Sequence, residues 1–184
     1  YKHADEIIKR IERDPYFMKC MSREKQVIMT GELFGTKWKI KMDSYIPDVA
    51  IVDLKIVKAV DGPDAVNWVR DSGLMPWYVY WGYDIQGAIY QEIVRQNTGK
   101  RLPFCIAGAS KEDEPSIRVI RLEQNLLNEA YSIVESQMPR VLLVKNGETI
   151  PDRCEICDCC RHTRVLTKPV GTADILATAG AGGW

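Results

Sequence analysis

Ala50-Ile51-Val52-Asp53-Leu54-Lys55-Ile56-Val57 is an apolar run of strand length with two charges inside it. In a strand, successive side chains point to opposite faces. Ala50, Val52, Leu54 and Ile56 then make one wholly apolar face, and Ile51, Asp53, Lys55 and Val57 make the other. Such a run marks a strand covered on both sides. Charges in the middle of it are costly unless they are paired, hydrogen-bonded or holding a metal. A lone D-x-K tripeptide reads most simply as a salt-bridged pair on an edge strand. The residues around this one give it more weight.

The chain has 184 residues, enough for one domain with a good core. Its 25 basic residues balance 25 acidic ones, so nothing attracts it globally to nucleic acid. Any such binding must rest on a local patch or on metal ions. No run of about 18 apolar residues is present to span a bilayer, so no membrane partner is expected. There is no leader of the basic, apolar, small-residue kind, although the chain begins at Tyr1, so an upstream segment with any signal it carries is to be expected. Cys20 and Cys105 are isolated, while Cys154, Cys157, Cys159 and Cys160 cluster. Clustered cysteines without a leader favour reduced thiols and metal, hence a cytoplasmic protein.

Around the charged strand, residues 2–13 have the apolar spacing of a helix, with Ala4, Ile7, Ile8 and Ile11 as its stripe and Pro15 near its end. Residues 26–29, 32–34 and 37–45 read as strands interrupted at Gly31 and Gly35. Along the last of these, Trp38, Ile40 and Met42 share one face, and Lys39, Lys41 and Asp43 the other. Ile46-Pro47-Asp48 is a turn signal, which makes 37–45 the antiparallel neighbour of Ala50–Val57 and sets Asp43 level with Asp53, subject to a one-residue slip. Residues 60–73 read as a short helix or loop, 77–96 as an aromatic-rich helix stopped by Gly99, 103–109 and 117–122 as strands, and 123–137 as a helix. The expected class is therefore one mixed α/β layer without repeats or a domain linker. Residues 1–166 are expected to form its domain, with a Cys-rich stretch at 151–166. The remainder, 167–184, is expected to be a flexible tail.

Two hard oxygen ligands close together, Asp43 and Asp53, suit Mg²⁺ or Mn²⁺, which keep waters and bind phosphate oxygens. Lys55 lies on the same face, within reach of an attacking water or a strained phosphate. Metal and ammonium together would speed phosphodiester hydrolysis by activating water and neutralising developing charge. Gln86 and Tyr90, four residues apart on the following helix, project from one face. Either they are a half-buried helix face or they hold a phosphate or base.

The N-terminal helix, Asp43, Asp53-Leu54-Lys55 and Gln86-x-x-x-Tyr90, in that order, resemble the PD-(D/E)xK nuclease superfamily. Within it they are most similar to the RecB/RecE-like and lambda-exonuclease-like enzymes of recombination and phage replication. The resemblance runs from Ala4 to about Leu166. It implies a restriction-endonuclease-like fold, a mixed central sheet flanked by helices, here with a Cys-rich C-terminal tail. It implies Asp43 and Asp53 as metal-binding carboxylates, the Leu54 backbone carbonyl as a further ligand, Lys55 as catalytic lysine, and Gln86 and Tyr90 as the helix motif beside them. The family also places an acidic residue or histidine on the first helix; the helical face favours Glu12 over His3 and Glu6. Met42 stands where the superfamily's name has proline. The implied activity is a metal-dependent DNA exonuclease acting on linear DNA in phage-type recombination or repair. Some relatives work as rings, and a single-strand annealing recombinase is an implied partner.

Cys154-x-x-Cys157-x-x-Cys160 has the knuckle spacing that lets thiolates converge on one metal, with Cys159 and His162 as spare ligands. Several RecB-like nucleases take one cysteine before the core and three after it, a pattern that Cys20, Cys154, Cys157 and Cys160 resemble. Four thiolates suit [4Fe–4S] or Zn²⁺ equally well. A different class of protein fits the same residues: a catalytically silent DNA- or partner-binding module with a structural Cys–metal site. Trp68, Trp77, Tyr78, Tyr80, Trp81 and Tyr83 are either core or a stacking surface for bases. Lys37, Lys39 and Lys41 either track phosphates or line a solvated face.

Overall fold

Alternation along Ala50–Val57 sends neighbouring side chains into two different cores. Ala50 and Val52 pack with Ile7, Phe17, Ala107 and Ile117, whereas Ile51 and Val57 join Ile89, Ile93 and Phe104. The strand is covered on both faces, as its composition requires. These relations belong to a computed structural model that describes residues 2–69, 72–154 and 157–173.

In chain order the elements are α1 (Lys2–Glu12), α2 (Pro15–Met21), β1 (Glu24–Leu33), β2 (Thr36–Ile46), β3 (Ala50–Val57), a 3₁₀ turn (Pro63–Ala65), β4 (Val66–Val69) and β5 (Gly73–Pro76). Then follow α3 (Trp77–Tyr80), α4 (Tyr83–Thr98), β6 (Phe104–Ser110), β7 (Ile117–Arg121), α5 (Gln124–Lys145) and α6 (Asp158–His162). The main sheet runs β1-β2-β3-β6-β7, and β4 and β5 form a separate two-stranded sheet. All neighbours in the main sheet are antiparallel except β3 and β6, which run parallel. The fold is thus mixed α/β, with α1 and α2 on one face of the sheet and α4 on the other. The chain forms two compact units, residues 1–67 with 76–139, and residues 68–75 with 140–184.

Four elements depart from the sequence expectation. Pro15 does not merely follow a helix; it begins α2, with Asp14 as N-cap accepting from Phe17 N–H at 2.8 Å. A proline at the first helical position gives up an N–H that would be unpaired anyway. Gly31 interrupts nothing, and β1 is continuous through it. A Cβ there would lie 2.6 Å from Ile93 Cδ1 and 2.4 Å from Gln96 Oε1, so the glycine admits α4 against the strand. The true hairpin turn is Phe34-Gly35, both with positive φ, as a two-residue turn that matches strand twist requires. The helix expected to stop at 137 continues to Lys145 with Pro139 inside it. Residues 60–73, expected as helix or loop, hold the 3₁₀ turn and the start of the β4–β5 pair. The expected tail lies outside the described residues from 174 onward. Among the described residues no helix is long and apolar enough to cross a membrane.

Gly87 sets how closely α4 approaches β6. A Cβ there would meet Phe104 Cδ1 at 2.6 Å and Leu127 Cδ2 at 3.0 Å, and Phe104 is fully buried. Gly87→Ala is therefore expected to destabilise by about 1–3 kcal/mol through overpacking, despite alanine's better helix propensity. Calorimetry should register a fall of about 2–4 °C in Tm per kcal/mol. An unchanged Tm would mean that the sheet and α4 are less tightly apposed.

Candidate active site

The β2–β3 ladder pairs Ile46 with Ala50, Tyr45 with Ile51 and Ser44 with Val52, and then stops. One further step would set Asp43 opposite Asp53. Regular alternation would turn Asp43 outward with Lys39 and Lys41. The alternation slips instead. Met42 and Tyr45, three residues apart, belong to the same core, while Ser44 Oγ donates to Cys20 O at 2.7 Å on the other face. Opposite this point Gln26 has a φ of 56°. The slip turns Asp43 toward β3, where its Oδ2 accepts Leu54 N–H at 3.0 Å and its Oδ1 accepts Gln26 Nε2 at 2.8 Å. Asp43 thereby takes up an N–H that the broken ladder would leave unpaired.

Asp53 is only 2% exposed. Its Oδ1 accepts Gln86 Nε2 at 2.9 Å, and its Oδ2 forms an ion pair with the Lys55 ammonium. That same oxygen is fully buried and has no aligned hydrogen bond. Burial pushes the Asp53 carboxyl above its ordinary range; Lys55 and Gln86 oppose the shift, while the nearby Asp43 charge adds to it. The Lys55 side chain is 19% exposed, and its ammonium sits 4.5 Å from the centre of the Tyr83 ring, within cation–π range.

One face of α4 supplies the remaining contacts. Tyr83, Gln86 and Tyr90 stand at i, i+3 and i+7, so they share a stripe. Tyr90 Oη donates to the Lys41 carbonyl at 3.0 Å and its ring meets Phe104 edge-on, which ties α4 to β2 just ahead of Asp43. Gly82 and Gly99, both left-handed, close the two ends of the helix. Asp84, next to Tyr83, is buried with an unpartnered Oδ1, and burial raises its pKa.

Asp43, Asp53, Lys55, Gln86 and Tyr90 therefore meet around one break in the sheet. Glu12 does not join them. It is exposed, without a hydrogen bond or ion pair among the described residues, and α1 packs on the Val52 face rather than the Asp53 face. His3 and Glu6 pair with each other instead, and His3 also meets the Lys111 carbonyl. Two contributors escaped the sequence reading in their roles. The spacing of Tyr83 from Gln86 would have placed it on the same stripe; for Gln26 no signal existed, because its role depends on a strained φ.

In the second unit, Cys154, Cys157 and Cys160 bring their sulfur atoms within 4.8 Å of one another. Cys157 N–H reaches Cys154 Sγ at 3.3 Å, and Cys160 N–H reaches Cys157 Sγ at 3.4 Å. Arg153 braces this loop by donating to Cys160 O at 2.7 Å and Thr163 Oγ1 at 2.9 Å. Three sulfur atoms this close can converge on one metal ion. Cys159 and His162 stand outside this ligand group, which is the one three-residue cluster of metal-type ligands among the described residues. Cys20 is buried in the first unit beside Phe17.

A mixed sheet in which a hairpin delivers one carboxylate to the acid–lysine strand, with a Gln-x-x-x-Tyr helix laid over the break, defines the PD-(D/E)xK class. Residues 1–163 match the model of the family described as PDDEXK-like domain of unknown function (DUF3799), and the chain belongs to that family. The crystal structure of a "Putative exonuclease" from Eubacterium rectale superimposes with a TM-score of 0.89 at 65% sequence identity, over 96% of this chain and 65% of that one. This chain thus spans 65% of that protein's length. No curated protein matches the sequence.

Proposed function

We propose that the chain is a divalent-metal-dependent deoxyribonuclease that degrades linear DNA from its ends. The observation that carries this reading is the Asp53 carboxylate, buried beside the Lys55 ammonium and near a second carboxylate, Asp43. A carboxylate so placed is expensive, and a hard cation with waters and phosphate oxygens in its shell would satisfy it. Asp43, Asp53 and the Leu54 carbonyl would hold that ion, Mg²⁺ or Mn²⁺, which when bound supplies Lewis acidity and an activated water.

The chain's own residues account for the rest. Gln86 fixes the rotation of the Asp53 carboxylate. Tyr90 holds β2 where Asp43 can reach inward. Lys55 keeps its ammonium against Tyr83 and donates to a phosphate oxygen, stabilising the charge that grows there as the ester bond breaks.

End-directed attack is supported by the description of the Eubacterium rectale relative. The RecB/RecE-like and lambda-exonuclease-like affiliation, a role in phage-type recombination or repair, a ring assembly and an annealing recombinase as partner rest on the sequence resemblance. The extent of the family match supports a nuclease domain of residues 1–166. We further assign Cys154, Cys157 and Cys160, with Cys20 as fourth ligand, to Zn²⁺ or [4Fe–4S], in a cytoplasmic protein.

End-labelled linear duplex incubated with the protein tests the reading. Mg²⁺ or Mn²⁺ should support progressive release of nucleotides, chelation should stop it, and a closed circle should survive. Cutting of the circle would replace exonuclease by endonuclease. A folded, full-length protein that leaves both DNA and RNA intact would instead be the catalytically silent binding module.

A further inference from the structure

The aromatic residues from Trp77 to the first residue of α4, Tyr83, divide into two sets. Trp77 is 3% exposed, and Tyr78 and Tyr83 each meet it edge-on at 5.8 Å. Tyr80 and Trp81 do the opposite. They are 44% and 62% exposed, with ring centres 5.0 Å apart at 87°. Single exposed apolar side chains are ordinary, but adjacent aromatics fixed against each other in water form a preformed surface. Fixed they are: Trp81 N–H donates to Trp77 O at 3.0 Å, Gly82 N–H donates to Val79 O at 2.9 Å, and left-handed Gly82 leads directly into α4.

The pair is close along the chain to the candidate chemistry. The Tyr83 ring is 4.5 Å from Lys55 Nζ, and two peptide steps of about 3.8 Å each separate Trp81 from Tyr83 along the backbone. We propose that Tyr80 and Trp81 form a stacking platform for an unpaired base of the strand entering the Asp43–Asp53–Lys55 site, an inference that rests on the nuclease reading above. A balanced chain, with 25 basic and 25 acidic residues, gains little from global attraction to phosphate. Stacking supplies a hold that does not depend on net charge, and it accepts any base because each has a π face.

With metal chelated, the full chain is titrated with a short oligothymidine while tryptophan emission is followed. Binding should quench the emission, Trp81→Ala should raise Kd on the order of tenfold, and Trp81→Phe, which keeps a ring, should restore most of the affinity. In cleavage assays Trp81→Ala should raise KM by a similar factor and leave kcat at saturation unchanged. The exposed position makes misfolding an inadequate explanation, and an unchanged Tm would verify that. Wild-type affinity in Trp81→Ala, or no oligothymidine binding by the wild type, overturns the proposal. So does a variant that falls from multimer to monomer in sedimentation with Kd unchanged, which would assign the pair to a contact between copies. Quenching without any cleavage would remove the nuclease reading and leave the platform standing; cleavage with a wild-type KM in Trp81→Ala would do the reverse.

Discussion

Asp53→Asn is expected to abolish cleavage and at the same time raise the melting temperature. The activity loss, on the order of a thousandfold or more, follows from removing a carboxylate that would hold the ion and orient Lys55. The stability gain follows from burial. Asp53 is 2% exposed, and burial, reinforced by Asp43, outweighs Lys55 and Gln86, so its folded pKa stands above that of the unfolded chain. A group shifted in this sense contributes stability that is fully present below its unfolded pKa, about 3.9, and is lost as pH rises through its folded value. Above that folded value the native chain carries the penalty in full. Asparagine cannot ionise, yet its oxygen can still accept from Gln86, and Lys55 keeps the Tyr83 ring and its share of solvent. With chelator present, the variant's Tm should exceed that of wild type near neutral pH, and the gap should close as pH falls through the carboxylate range. A nuclease site that holds a destabilised carboxylate ready for a cation predicts both effects together. Undiminished cleavage, or a Tm below wild type near neutral pH, would defeat this account of Asp53.

Much of this site could be read before any coordinates, because strand alternation carries it. Ala50–Val57 had to be covered on both faces, and the face bearing Asp53 and Lys55 is the one that meets α4. The turn at Pro47-Asp48 fixed the pairing that brings Asp43 level with Asp53. What resisted reading were places where the backbone leaves its period. Counted from Lys39 and Lys41, alternation points Asp43 outward; counted from Tyr45, opposite Ile51, it points Asp43 to the face of Asp53, and the slip between Met42 and Tyr45, with Gln26 at positive φ, decides for the second. Gly31 carries the same signal as a turn glycine, and its real reason, the approach of Ile93 and Gln96, comes from residues more than sixty positions away. Pro15 likewise marks a boundary from either side; the capping bond from Asp14 decides that a helix begins there. The apolar stripe of α1 holds only in part: Ile7 is buried while Ile8 is 50% exposed. The helical-face argument for Glu12 depends on that stripe.

Cys160→Ser is expected to empty a metal site and open the loop around it. Cys160 is the buried member of the triad, 6% exposed, and its sulfur lies 3.8 Å from that of Cys154. The Cys160 N–H bond favours the Cys157 thiolate, yet the Cys154 and Cys160 thiols around it together raise its pKa. A cation among the three sulfurs would offset the charge that thiolates crowd together there. Binding at such sites reaches about 10–16 kcal/mol for Zn²⁺ and is itself folding energy for a short segment with little core of its own. Protein purified without oxygen should carry one metal centre per chain, brown with iron and labile sulfide if it is [4Fe–4S], colourless with zinc if it is not. Cys160→Ser, or strong chelation, should remove that metal and speed trypsin cleavage at Arg153, Arg161 and Arg164 by at least about tenfold, as loss of local structure exposes the backbone. Cys20→Ser tests the fourth ligand separately. If Cys20 completes the site, its variant should lose metal as Cys160→Ser does; if it serves only the core beside Phe17, metal should stay and only Tm should fall. Wild-type protein without bound metal, yet as slow to trypsin as the metal-loaded form would be, would make the triad a bare thiol loop braced by Arg153 alone.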